Sequence, residues 1–348
     1  MPFKGLSMLS RLKKSHPWRV FWMAVAWAVA ISAAHYAFNT DHEQRPTVRM
    51  GYMPVITNLA APLLDAASGP QTAPVRFRAV KFSSFAEMAE ALRGGNIQAA
   101  FIIAPLSIVL HQQGADVRVV YIGNRHESTF VVRKDLAVRT LNDLDGRSVA
   151  VPMRFSGHHL ALLRMMRDAG TAPGLRIVEM NPPDMASALA AGALDGYLVG
   201  EPFAAQSMKS GDGEVLTYLE DVWPGFICNL LLVNQRFIDT QPDLVQALVQ
   251  GAVRSGLWAR DHLQEAAGIA ARYWGQPLEL VEFALTTPAD RVVFDQYRPR
   301  QEEMQELADL MTAFGLAGSA RIEGLVEDRF AREVDLSGIR QLQDILMP

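Results

Sequence analysis

Apolar positions follow two alternating patterns along the chain. A stripe at helical spacing is followed by a glycine and then by an unbroken apolar run of five residues, AAFII at 99–103, that is typical of a buried strand. The sequence therefore predicts a short helix, a turn and a strand that ends just before Pro105. The stripe consists of Phe85, Met88, Ala89 and Leu92.

The same unit occurs a second time. Residues 88–105, MAEALRGGNIQAAFIIAP, align without a gap with residues 185–202, MASALAAGALDGYLVGEP, at an offset of 97 residues. Met88, Leu92, Gly95 and Pro105 are among the identical positions. A strand also precedes each copy, at 48–54 and 148–152, and the second leads into a helix at 157–169 that Gly170 stops. Strands that alternate with helices predict an α/β fold of two similar lobes with parallel-rich sheets and flanking helices.

The repeat also sets the predicted domains. Two β-rich runs, 128–133 and 227–234, bracket the second copy and are interpreted as crossovers between lobes. Residues 47–133 and 227–348 are then assigned to lobe one, and residues 134–226 to lobe two. From Pro242 onward the pattern is helical, and this tail is expected to cover lobe one.

The amino-terminal segment differs chemically from the rest. Residues 1–34 contain five basic residues and no acid, and residues 20–34 carry no charge at all. This pattern predicts an export signal cleaved after Ala34, followed by a polar tether at 35–46. The alternative is an uncleaved anchor in the inner membrane formed by residues 20–38. Both interpretations place the body outside the cytoplasm, in the periplasm for a Gram-negative cell.

Composition narrows the function classes. A formal charge of −4 gives no general footprint for nucleic acid, so no nucleic-acid partner is expected. The single cysteine, Cys228, can form neither an internal disulfide nor a thiolate metal cluster. No common catalytic or nucleotide-binding motif occurs, and neither an enzyme activity, a cofactor nor a metal is expected.

Candidate ligand contacts come from the loops that follow the predicted strands, because ligands of open α/β sheets lie beyond the carboxyl ends of the strands. If the lobes face each other, these loops line one cleft. The predicted ligand-binding residues are Thr57, Asn58, Phe82, Ser83, Ser84, Ala104, Pro105, Arg154, Ser156, Gly157, His158 and Glu201.

The predicted helix start at Ser156 is the best local anion site. Its backbone N–H groups, the Ser156 hydroxyl and the Arg154 guanidinium could stabilise a small anion. The structural alternative is that Ser156 only caps the helix, Arg154 is solvated and a histidine packs. His158 and His159 are not expected to share a metal, since adjacent helical side chains point apart.

Glu201 ends the second copy of the repeat, where the first copy has Ala104. The carboxylate is therefore not required by the shared fold, which favours a role in function. It could accept a hydrogen bond from a ligand amine or reach across the cleft, or it could simply cap the following helix.

With these residues in hand, the chain resembles the periplasmic substrate-binding proteins of ABC importers for nitrate, sulfonates, taurine and bicarbonate. The resemblance runs from about residue 48 to about residue 316 and is carried by GYMPVITNLAAPLL, FSGHHLALLR, NPPDMASALAAGALDGYLVGEPF and DVWPGFICNLLLV. It implies a type II two-lobed fold with a two-stranded hinge, which closes on a small solute and presents it to a permease.

Individual residues also match that class, with departures. Ser156 and His158 resemble its Ser-x-His pair, and Glu201 with Pro202 resembles its Glu-Pro pair. Phe203 stands where a tryptophan is frequent, Gly157 where a larger residue is frequent, and residues 82–84 lack the usual local pattern.

The resemblance implies a monomeric solute-binding protein that delivers a small anion or zwitterion, such as a sulfonate, taurine or a nitrate-like ion, to an ABC permease in the inner membrane. The alternatives are a membrane-anchored subunit of a sensor and a protein that binds a pyrimidine of the thiamine-precursor type.

Overall fold

Ten strands form two five-stranded sheets in the computed structural model, which describes residues 17–39, 45–170 and 174–347. The strand order is β2-β1-β3-β10-β4 in the first sheet and β7-β6-β8-β5-β9 in the second. The strands are β1 Thr47–Tyr52, β2 Arg76–Lys81, β3 Ala99–Ile103, β4 Val117–Ile122, β5 Ser128–Arg133, β6 Ser148–Val151, β7 Arg176–Glu179, β8 Gly196–Gly200, β9 Gly213–Tyr218 and β10 Asn229–Asn234.

Fourteen α-helices occur in the described residues, together with short 3-10 turns at Ile56–Asn58, Lys134–Leu136, Leu141–Leu144 and Leu342–Leu346. The helices are α1 Pro17–Asn39, α2 Ala60–Ser68, α3 Phe85–Arg93, α4 Ala104–Gln112, α5 Gly157–Ala169, α6 Pro182–Ala190, α7 Phe203–Ser210, α8 Leu219–Val222, α9 Gln235–Thr240, α10 Pro242–Asp261, α11 Leu263–Trp274, α12 Leu278–Thr286, α13 Gln301–Ala313 and α14 Arg329–Arg332.

The predicted repeat is confirmed element by element. Helices α3 and α6, like strands β3 and β8, begin and end exactly 97 residues apart. Met88 and Met185 are fully buried at equivalent positions. Gly95 and Gly192 both take φ of 73°, a left-handed conformation that glycine adopts without strain, directly after the helix. The shared apolar pattern has therefore produced the same backbone twice.

Each sheet contains one strand that runs against the other four. Strand β10 pairs antiparallel with β3 and β4, and β5 pairs antiparallel with β8 and β9, while β1 and β6 pair in parallel with both of their neighbours. The two-lobed α/β prediction with parallel-rich sheets is confirmed. The sequence prediction assigned β5 to lobe one. In the structure β5 lies between β8 and β9, so it is an inner strand of the second sheet.

Two connections join the sheets. We call residues 123–127, between β4 and β5, the first crossover, and residues 219–228, between β9 and β10, the second crossover. We call the first sheet with its helices lobe one, and the second sheet with its helices lobe two. The predicted outer limits of the lobes stay a prediction.

Buried apolar residues cover both faces of each sheet. On lobe one, α2, α10 and α11 pack on one face, while α3, α4 and α13 pack on the other. The predicted helical tail therefore lies mainly on lobe one, although α12 also contacts α7 of lobe two. Helix α13 ends at Ala313, and Gly315 follows it with φ of 67°.

Residues 1–44 form a unit separate from the body at 45–348. Its described part is α1, whose first half exposes large apolar side chains such as Trp18, Trp22 and Trp27. Among the described residues, no helix has the combination of length and hydropathy needed to cross a membrane. Residues 1–16 of the predicted signal and residues 40–44 of the predicted tether lie outside the described residues, and residues 35–39 of the tether belong to α1.

Candidate functional site

Two cavities lie between the lobes. The first, of about 330 Å³, is bordered by Met53 and Ser84 of lobe one and by Met153 and Asn181 of lobe two. Its other lining residues are Phe85, Ala86, Pro152, Glu179, Met180 and Pro182. The second, of about 420 Å³, also reaches Met53 and is lined by Pro54, Lys81, Phe82, Ser83, Glu87, Pro183, Phe203, Trp274 and Gln276.

Two helices begin at the first cavity. Ser84 caps α3 and accepts a hydrogen bond of 3.2 Å from the backbone N–H of Glu87. Asn181 occupies the equivalent position before α6, but its side chain makes no capping bond. The partial positive charge at both helix starts favours an anion, and the Asn181 amide remains available as a donor.

Charged groups of both signs border the two cavities. Lys81 is exposed, and its Nζ lies 3.4 Å from the Trp274 carbonyl oxygen. The Glu179 carboxylate is exposed and accepts the backbone N–H of Arg154 at 2.7 Å. A ligand in the first cavity would therefore meet the backbone donors at the start of α3, the Asn181 amide and the Glu179 carboxylate.

Three of the twelve predicted contacts line these cavities, namely Phe82, Ser83 and Ser84. The exposed Ser83 hydroxyl donates to the Glu87 carboxylate at 3.1 Å. This loop follows β2 and precedes α3, so the prediction from strand ends places it correctly at the cleft.

The predicted ligand contacts that follow β1 and β3 are buried. Asn58 is fully buried, donates to the Met53 carbonyl at 3.0 Å and accepts from the Asn229 amide at 2.7 Å. Thr57 is 1% exposed. Ala104 donates its N–H to the Cys228 carbonyl at 2.9 Å, and Pro105 is buried beside it.

The segment at 154–158 does not form an exposed anion site. Ser156 is fully buried and caps α5, accepting the His159 N–H at 3.1 Å. Gly157 lies so close to Phe226 that a Cβ there would be 2.6 Å from its ring, which explains why no larger residue fits. Arg154 is exposed and donates to the Gly315 carbonyl at 3.3 Å.

His158 points into a buried cluster. Its Nε2 shares a hydrogen bond of 2.9 Å with the Ser128 hydroxyl, which also donates to Glu127 at 2.9 Å. The Cys228 Sγ lies 3.8 Å from the same Nε2. Burial lowers the pKa of His158 to about 3 and raises the pKa of Glu127 to about 7, so the imidazole is neutral at physiological pH.

Glu201 lies in a second buried cluster. Its carboxylate accepts the Thr129 hydroxyl at 2.9 Å and the Ala205 N–H at 2.8 Å, and the Arg291 guanidinium is 3.8 Å away. Burial raises the pKa of Glu201 to about 7, and hydrogen bonds and Arg291 only partly offset this. Arg291 also pairs with Glu220.

Sequence reasoning missed Glu127, Arg291 and Glu220. Arg291 follows two long helices of the tail, and no local pattern around it indicates a partner in lobe two. Glu127 directly precedes the run at 128–133, which was interpreted only as a crossover between lobes. These groups meet through long-range packing, for which the chain carries no short signal.

Comparison with known proteins gives the family. The NMT1-like family profile matches residues 41–273, about two thirds of the chain. The chain belongs to the NMT1-like family.

Relatives of this NMT1-like chain include a taurine-binding periplasmic protein of Escherichia coli, 30% identical over 179 residues, which are 50% of this chain and 54% of that protein. The chain thus spans about half the length of that relative. A putative aliphatic sulfonates-binding protein of Bacillus subtilis is 25% identical over 297 residues, which are 81% of this chain and 86% of the relative.

The same fold occurs in a solved structure, the alkanesulfonate-binding protein SsuA of Xanthomonas axonopodis bound to MOPS. It superposes with a TM-score of 0.70 over 82% of this chain and the whole of that one, at 21% identity. The likeness shows the two-lobed fold alone.

Proposed function

We propose that this protein is an extracytoplasmic solute-binding protein that delivers a small sulfonate-like anion or zwitterion, of the taurine type, to an ABC permease. The observation that carries the proposal is the cavity between the lobes, which the starts of α3 and α6 both border. The names of the taurine- and sulfonate-binding relatives support this ligand class.

The charges around the cavity favour a zwitterion among these ligands. A sulfonate group fits the backbone N–H donors at the start of α3 and the side-chain amide of Asn181, because α6 begins with two prolines that have no N–H. An amine fits the Glu179 carboxylate. The sulfonate end of such a ligand would contact both lobes, and the amine end would contact Glu179 of lobe two. Binding would therefore favour the closed arrangement of the lobes.

The first test is thermal unfolding of the purified protein against taurine, alkanesulfonates, nitrate and bicarbonate. A ligand at about 100 times its dissociation constant is expected to stabilise the protein by about 2.7 kcal/mol. Folded protein that responds to none of these solutes would contradict the proposal.

A variant of the cavity wall sharpens the test. Asn181→Ala removes an amide that makes no capping bond, so we expect an affinity loss of about tenfold with unchanged unfolding of the free protein. Asn142→Ala is the matched control, since Asn142 is exposed and does not line either cavity. Equal affinities of the two variants would place the ligand elsewhere.

Aromatic side chains favour a second ligand class for the neighbouring cavity. Phe82, Phe203 and Trp274 line it together, and the partly exposed ring of Phe82 fits the flat face of a heterocycle such as a pyrimidine precursor of thiamine. The same unfolding assay includes such pyrimidines, and stabilisation by a pyrimidine without a response to any sulfonate would replace the sulfonate proposal.

Export completes the proposal. We infer that residues 1–34 direct the chain out of the cytoplasm, because a basic head precedes an uncharged apolar run. Sequencing of the amino terminus of exported protein is expected to begin at His35. An intact terminus would favour retention of the segment and the sensor alternative.

A further inference from the structure

Three side chains of metal-binding types meet between the crossovers and α5. Glu127 belongs to the first crossover, Cys228 to the second, and His158 to the first turn of α5. All three are buried, with exposures of 1%, 5% and 2%. One ligand atom from each lies within 4.8 Å of the others. None of them lines the cavities assigned above to the solute.

The spacing approaches that of a tetrahedral site. Zinc binds cysteine sulfur at about 2.3 Å and histidine nitrogen at about 2.0–2.1 Å, so the two ligand atoms lie roughly 3.6 Å apart. The Cys228 Sγ and the His158 Nε2 are separated by 3.8 Å. A shift of a few tenths of an ångström would therefore bring this pair to zinc-binding geometry.

One side-chain nitrogen of His158 in this cluster, Nδ1, lacks a hydrogen-bond partner among the described residues. This nitrogen points away from Nε2, the atom that approaches Cys228 and Ser128, so Nε2 is the candidate metal ligand and the unpartnered Nδ1 is not part of the ligand set.

Charge balance supports a divalent ion. A zinc ion, a Cys228 thiolate, a Glu127 carboxylate and a neutral His158 imidazole carry no net charge together. A buried site favours a neutral set, because an uncompensated buried charge is costly. Sulfur, nitrogen and carboxylate oxygen are also the three donor types that zinc accepts.

We propose that Glu127, His158 and Cys228 bind one zinc ion. Binding displaces the thiol proton of Cys228 to solvent and leaves sulfur as a thiolate ligand. Because Glu127 and Cys228 lie on the two crossovers, the ion would hold both connections to α5 of lobe two. The metal is thus a structural element of the hinge and does not take part in binding the solute.

The test uses the full chain after treatment with a chelator. Cobalt(II), which substitutes for zinc, is expected to bind with a stoichiometry of one and to produce a sulfur-to-cobalt charge-transfer absorption that added zinc removes. Cys228 is the only cysteine of the chain, so this absorption can have no other source.

Variants separate a built site from adventitious binding. Cys228→Ser is expected to abolish the charge-transfer absorption, and His158→Gln and Glu127→Gln to weaken zinc binding by more than about 100-fold. His159→Gln is the matched control, because its imidazole faces the Arg154 carbonyl at 2.7 Å instead of the cluster.

Two results would contradict a zinc site. Folded protein without a cobalt–thiolate absorption overturns the proposal, as does an affinity that His158→Gln and Glu127→Gln leave unchanged. If His158→Gln prevents folding, Glu127→Gln decides, since a glutamine of similar size keeps the packing and removes the carboxylate ligand.

Discussion

The two copies of the repeated unit use the same backbone for different chemistry. At the end of β3, the Ala104 N–H donates to the carbonyl of Cys228 in the second crossover. At the end of β8, the Glu201 N–H donates to the carbonyl of Glu127 in the first crossover. Only the second copy adds a side chain that reaches Arg291. The shared apolar pattern thus gives both copies the same backbone. Single positions at which the copies differ, such as Ala104 and Glu201, give the two lobes different side-chain contacts.

The helix starts show the same principle. Ser84 and Asn181 are equivalent by the offset of 97 residues, yet only Ser84 caps its helix. The Asn181 amide of lobe two therefore makes no capping hydrogen bond, whereas the Ser84 hydroxyl of lobe one accepts one from Glu87. Substitutions at equivalent positions should therefore have unequal consequences.

The largest expected effect comes from the ionic cluster around Glu201, which the first copy of the repeat lacks because it has Ala104 at this position. Arg291→Ala removes the cation between Glu201 and Glu220, whose side chains are 1% and 16% exposed. Because this leaves buried carboxyl groups without their counterion, we expect unfolding in urea to become easier by about 3–5 kcal/mol.

The control for this prediction is an exposed ion pair of the same types. Arg321 and Glu323 are 81% and 77% exposed, so Arg321→Ala is expected to change stability by less than about 0.5 kcal/mol. A similar small change for Arg291→Ala would show that the cluster does not distinguish the lobes.

The second effect is a change in pH dependence. Burial raises the pKa of Glu201 from 4.5 to about 7, so the folded protein retains a proton that the unfolded chain releases over this range. The contribution of Glu201 to stability is present below pH 4.5 and declines as the pH rises to about 7. Glu201→Gln cannot titrate, and its stability relative to the parent should rise over this window by on the order of 3 kcal/mol.

This measurement compares urea unfolding of metal-free parent and variant at several pH values. The difference between the two curves removes the contribution of other groups, including His158, whose lowered pKa acts in the opposite direction. Parallel curves would mean that Glu201 keeps its ordinary pKa in the folded state.

The smallest effect concerns the helix starts. Ser84→Ala removes the capping bond to Glu87 and is expected to cost about 1 kcal/mol, whereas Asn181→Ala should leave stability nearly unchanged. Thermal unfolding of both variants without ligand measures the two stability changes. Equal losses would show that the two copies are capped alike.

Much of the fold was predictable because it depends on short-range patterns. The stripe that includes Met88 and Leu92, and its copy at Met185 and Leu189, required only helical spacing and a glycine. Helix α5 was predicted with its exact limits from a serine at one end and Gly170 at the other.

The candidate site was less predictable for a physical reason. Sequence indicates that a residue follows a strand, but it does not indicate which distant segment will cover that residue. Phe226 of the second crossover packs over Gly157, and Arg291 of the tail approaches Glu201. Both contacts turn predicted cleft residues into interior ones.

The position of the single reversed strand in each sheet has a consequence for biosynthesis. All strands of the second sheet lie between residues 128 and 218, so it can be completed as one continuous stretch of nascent chain. The first sheet needs β10 at residues 229–234, inserted between strands made more than a hundred residues earlier. The part of the protein that is translated first is therefore the last to close its sheet, and it leaves the edges of β3 and β4 exposed to other chains until then.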